Sequence, residues 1–188
     1  ELALQLVDQV HHTLGRQRPD APHSGWLSGL PEREGTVHPT RGGLRIGKPL
    51  NERQPDEPFD ERLEWERDGQ YYHYLTKWMH TLCCVSRTID NQVYSVWAGE
   101  LAERAYNAFS YTAGDNSQHM YWKMSIDLSR PQVASMGHHD PLDGLVTFLE
   151  IREQIRGQSD ANQNGLEAAI TELAEMCRGV NWTTPDPL

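Results

Sequence analysis

The sequence predicts an all-α chain built as a two-layer toroid of α/α hairpins, and three observations predict it. Apolar residues recur at the helical period in five separate segments. Those segments differ in how much of the helix surface the apolar residues cover, and broad faces alternate with narrow ones. The decorated loops all precede the broad helices, whereas the links from broad to narrow are short. A toroid has this rhythm because its inner helices are covered from outside and its outer helices meet water. The long loops then gather on one rim, with a short hairpin among them.

The elements follow in order. Residues 1–14 carry Ala3, Leu6, Val7, Val10 and Leu14 on one stripe and stop at Gly15. Residues 15–59 are rich in Gly, Pro and charge; a stretch that long without regular structure reads as a functional or disordered loop. Alternation at Leu44, Ile46 and Leu50 suggests a short hairpin inside it. Residues 61–89 read as helical, broken near Gly69, with a broad stripe through Tyr71, Leu75, Trp78, Leu82, Val85 and Ile89. Residues 91–110 read as a one-sided helix whose polar back carries Gln92, Glu100, Glu103, Arg104 and Asn107. Residues 119–129 alternate as a strand or hairpin arm. A broad helix at 141–156 and a narrow one at 165–178 complete the pattern, and "NWTTPDPL" opens a further helix.

The 188 residues suit a single domain. Both ends fall within helical patterns, so the expectation is an interior piece of a longer chain. With 17 Lys and Arg against 27 Asp and Glu, the formal charge is −10, which argues against nucleic acid as a partner. No apolar run approaches the ~20 residues of a membrane span. Cys83 and Cys84 are adjacent and Cys177 stands alone, which fits reduced thiols in a cytoplasmic protein rather than a disulfide framework.

Three polar clusters precede the broad helices: Glu64, Glu66 and Asp68 ahead of His73; His138, His139, Asp140 and Asp143; and Trp182, Thr183 and Asp186. Asp140 before Pro141 and Asp186 before Pro187 read first as helix caps. If the helix starts share one rim, the clusters converge there. Two facing carboxylates then suit glycoside hydrolysis, with Asp68 and Asp140 as the first pair and Glu66 as substitute. Trp65, Trp122 and Trp182 offer flat faces to sugar rings, though a tryptophan taken alone is more often part of a core. No metal site is expected: "HHD" offers adjacent ligand types, and no H-x-x-x-H or H-E-x-x-H spacing occurs. "GGLRIGK" lacks the phosphate-loop spacing, so no cofactor is expected either.

The strings "WERDGQYYHYLTKWMHTL", "GGLRIGKPLNER", "MYWKMSIDLSRP" and "GHHDPLDGLVTFLE" resemble an uncharacterised bacterial family of the six-hairpin glycosidase-like superfamily, from about residue 24 onward. The resemblance implies about half of a six-hairpin barrel, whose open edges the rest of the chain or another subunit would cover. It implies a small carbohydrate ligand without fixing the chemistry. Besides hydrolysis, a sugar isomerase or epimerase would use His73, His138 or His139 as base, with Arg45 steadying the developing oxyanion. A non-catalytic binding or interaction toroid would use the same clusters as caps and surface charge.

Overall fold

A computed structural model describes residues 1–156 and 162–183. About half the chain is helical, in seven helices among the described residues, with small antiparallel sheets between them. The helices are α1 (Leu2–Leu14), α2 (Glu32–Val37), α3 (Glu61–Glu66), α4 (Tyr72–Ile89), α5 (Val93–Phe109), α6 (Asp140–Ile155) and α7 (Asn162–Met176). The strands are β1 (Gln70–Tyr71), β2 (Ser110–Thr112), β3 (Gln118–Met120), β4 (Lys123–Met124) and β5 (Pro131–Val133). The helical segments expected up to residue 178 are therefore present, that at 61–89 as two helices, but the chain is not plainly all-α, and the helix expected to open at "NWTTPDPL" lies outside the described residues.

The core forms where α4, α5, α6 and α7 meet. Tyr72, Leu75, Met79 and Leu82 of α4 face Ala98, Leu101, Ala105 and Phe109 of α5. Phe148 and Ile151 of α6 and Leu173 of α7 close the same cluster. The small residues of α5 let its neighbours approach closely. α4 ends at Asp90, whose left-handed φ of 53° turns the chain straight into α5. No helix among the described residues is long and apolar enough to cross a membrane.

Several expectations change. The polar back of α5 is wet at Gln92, Glu103 and Asn107, but not at Glu100, which is buried and accepts from His38 Nδ1 at 2.6 Å and Arg41 Nε at 2.9 Å. Thr40 Oγ1 donates to the Trp97 carbonyl and Trp97 Nε1 to the Val37 carbonyl. The 15–59 segment thus supplies the cover that helical periodicity cannot reveal. That segment is ordered around α2. Its expected hairpin is absent: Arg45 N–H bonds the Leu14 carbonyl, Ile46 N–H the Gly69 carbonyl and Leu50 N–H the Glu66 carbonyl. Distant partners satisfy this backbone instead of a neighbouring strand.

The predicted break at Gly69 becomes a strand. Gly69 has φ of 152°, and a Cβ there would sit 2.7 Å from the Met124 carbonyl oxygen. The close approach lets β1 pair antiparallel with β4, placing Tyr71 opposite Lys123, and β5 adds to the far edge of β4. β2 and β3 form a separate hairpin with Tyr111 opposite His119. The predicted arm at 119–129 is therefore split between two sheets. Asp60 caps α3 by accepting from Leu63 N–H at 2.9 Å.

Candidate functional site: an aromatic cleft over a buried ion pair

α3 and the β1–β4–β5 sheet enclose a cleft of about 200 Å³. Trp65 projects from the last turn of α3, Tyr71 from β1, and Trp122 stands immediately before β4. The Trp65 and Trp122 rings meet edge to face at 5.0 Å, and Tyr71 meets Trp122 at 5.3 Å. Trp65 is 50% exposed while Tyr71 is buried, so the cleft presents one ring to solvent and hides another. Phe59, Val133 and Ser135 line the remaining wall. Two of the three predicted tryptophan platforms thus share one site, beside the segment that leads to "GHHD".

The floor is charged. Glu64, on the inner face of α3, accepts from Lys123 Nζ at 2.7 Å and from Arg53 Nε at 3.2 Å. Lys123 is fully buried and also donates to the carbonyls of Glu64 and Arg67 at 2.8 and 2.9 Å. Its three N–H donors are matched by three oxygens, which is how a buried ammonium is tolerated. Burial lowers the Lys123 pKa more strongly than the Glu64 carboxylate raises it. The ammonium lies 5.1 Å from the Tyr71 ring, so the cation also meets the aromatic wall. Sequence reasoning missed Lys123 and Arg53. The legible signal was a lysine inside the apolar alternation of "MYWKMSI".

The remaining predicted residues scatter. Asp68 is fully buried, and both oxygens are occupied: Oδ2 by Arg18 Nη1 at 3.0 Å and Arg45 Nη1 at 2.9 Å, Oδ1 by the N–H groups of Gly47 and Gly69. It is a structural anchor and has no oxygen to offer a substrate. Arg45 spends its other donors on the Arg16 and Thr13 carbonyls at the end of α1, so it does not reach a cleft as an oxyanion holder. Glu66 is exposed on α3.

Asp140 is buried, and its carboxylate reaches back to accept from Gly137 N–H at 3.0 Å. The α6 cap position belongs to His139, without a side-chain cap bond, so the expected Asp140 cap moves one residue earlier. Burial pushes the Asp140 carboxyl up to about 6, against the pull of the Gly137 N–H. His138 and His139 gather around Trp182, whose ring lies 5.8 and 6.0 Å from theirs. Trp182 therefore joins the second cluster. The expected cap at Asp186 lies outside the described residues.

His73 stands beside the aromatic cleft, its ring nearly parallel to Trp122 at 6.3 Å. Burial lowers its pKa, Asp143 pulls the other way, and Lys77 lowers it further. The imidazole is held toward its neutral, base-competent form.

Comparison of the chain with protein-family models, with curated proteins and with solved structures finds no match, so the likeness to glycosidase-like toroids rests on the sequence strings quoted above.

Proposed function

We propose that the chain is a carbohydrate-binding protein whose ligand lies in the Trp65–Trp122 cleft. The observation that carries this reading is the pairing of a half-exposed Trp65 with Trp122 at 5.0 Å above the Glu64–Lys123 floor. Sugar rings present C–H faces that pack on aromatic rings, and Glu61, exposed on the lining of the cleft, offers a carboxylate to their hydroxyls. The cleft has room for a monosaccharide-sized group. The geometry favours binding over hydrolysis through the Asp68–Asp140 pair, because Asp68 is enclosed by its two arginines. A half-toroid belongs to the same proposal. Two features support it: α4 lies against α6 and α5 against α7, the order of two successive hairpins, and Tyr74 and Val146 leave apolar surface for a covering partner.

His73 favours a second reading, sugar isomerisation or epimerisation, since a neutral imidazole beside the cleft can take a proton next to a carbonyl.

The test is titration of the intact protein with a panel of mono- and oligosaccharides, read by tryptophan fluorescence. Trp65→Ala and Trp122→Ala are expected to weaken binding about tenfold each, the loss of one stacking face. His73→Ala is expected to leave binding intact and to abolish turnover if the second reading holds. A panel without any fluorescence response, or a response indifferent to both tryptophan variants, overturns the proposal.

A further inference from the structure

Away from the cleft, α4 and α6 face each other through a polar seam. Lys77 Nζ meets Asp143 at 3.0 Å near its start. Two turns further along, three metal-ligating side chains converge: His80 and Cys84 of α4, and Glu150 of α6. His80 and Cys84 are four residues apart, so they stand on one helix face. His80 Nε2 lies 3.5 Å from Cys84 Sγ, and His80 Nδ1 lies 2.6 Å from a Glu150 oxygen. All three ligand atoms fall within 4.8 Å of one another.

We propose that His80, Cys84 and Glu150 form a zinc site with an open fourth position, clamping α4 to α6. Zn–S of about 2.3 Å and Zn–N of about 2.0 Å in a tetrahedral site put sulfur and nitrogen about 3.5 Å apart, the separation of Cys84 Sγ from His80 Nε2; Glu150 sits on the other ring nitrogen, Nδ1, so its carboxylate turns to the ion as Arg87 releases it. Thiolate, imidazole and carboxylate together suit zinc, whereas the oxygen-rich sites preferred by magnesium or calcium contain no thiolate. On binding, the Cys84 thiol releases its proton to solvent and the sulfur lone pair forms the Zn–S bond. Arg87 already places a positive charge at this spot: Nη1 is 2.5 Å from Glu150 Oε1 and Nη2 is 3.3 Å from Cys84 Sγ. Its side chain is half exposed, free to swing into solvent when a dication replaces it. The site is independent of the carbohydrate proposal, since none of its residues lines the cleft.

The test is Co²⁺ titration of the reduced protein, followed by thiolate-to-cobalt charge transfer in the near ultraviolet and by displacement with Zn²⁺. One equivalent is expected to bind. Cys84→Ser is expected to abolish the charge-transfer band. His80→Ala and Glu150→Gln are expected to weaken Co²⁺ binding at least tenfold, and Arg87→Ala to tighten it, with circular dichroism confirming that each variant folds. A band that survives Cys84→Ser, an affinity unchanged by His80→Ala, or no binding by the folded wild-type protein overturns the proposal.

Discussion

Arg45 Nη1 donates to Asp68 Oδ2 at 2.9 Å, and neither side chain has meaningful access to water. With Arg18 on the same oxygen, the pair ties the end of α1, the turn at Gly47 and the entry to β1 into one node. Asp68→Asn would leave two guanidinium groups sharing a neutral partner in a buried place. Breaking such a pair from one side typically costs about 3–5 kcal/mol. We expect a loss of that order in urea unfolding, without any direct effect on sugar contacts, because Asp68 touches none of the cleft. A variant as stable as the wild type would show that the node is not held by charge.

Tyr72 and Gly144 give a second test. The Tyr72 ring is fully buried, and its hydroxyl has no hydrogen-bond partner among the described residues. A Cβ on Gly144 would lie 2.3 Å from that hydroxyl and 3.3 Å from Leu173 Cδ1. Gly144→Ala is expected to destabilise by about 1–3 kcal/mol despite the better helix propensity of alanine. Tyr72→Phe, which removes a polar atom left without a partner, is expected to be neutral or stabilising. In combination, Tyr72→Phe should recover most of the Gly144→Ala loss. Thermal melts of the two single variants and the double variant measure the coupling.

His11 and Asp140 predict opposing pH slopes. His11 is buried and accepts from Trp78 Nε1 at 3.1 Å; burial, helped by His12, holds its pKa down to about 4. Between about 4 and 6.5 the unfolded chain binds the extra proton, so this group makes stability rise with pH. The Asp140 carboxyl, raised to about 6, does the reverse: the folded chain binds the extra proton between about 4 and 6, so stability falls as pH rises. Each effect is worth about 3 kcal/mol at its limit. Relative to wild type, Asp140→Asn should gain stability as pH climbs from 4 to 6. His11→Gln should lose relative stability over 4 to 6.5. Urea unfolding in half-unit pH steps reads both difference profiles, and parallel profiles would refute the opposition.

The helices were legible because their signal is local. The stripe Leu75, Trp78 and Leu82 lies on consecutive turns of one helix, and Gly69 marks real punctuation. Trp65 and Trp122 were identified as sugar faces from residue type alone, without any knowledge that they meet. The polar face of α5 was legible except at Glu100, whose cover comes from His38 and Arg41, some sixty residues away along the chain. Residue type also promoted Asp68 to a catalytic role that two arginines preclude.

By itself, then, the sequence determined which segments coil, where they stop, and which aromatic and titratable residues the chain has to work with. These depend on spacing over a few residues and on intrinsic side-chain chemistry. Only the tertiary structure decided that Asp68 is sealed beneath Arg18 and Arg45, and that Trp65 and Trp122 enclose one cleft. It alone brought Glu150 across to His80 and Cys84. Those outcomes depend on how distant segments pack. A carboxylate carries no mark of whether its counter-charge lies four residues away or fifty.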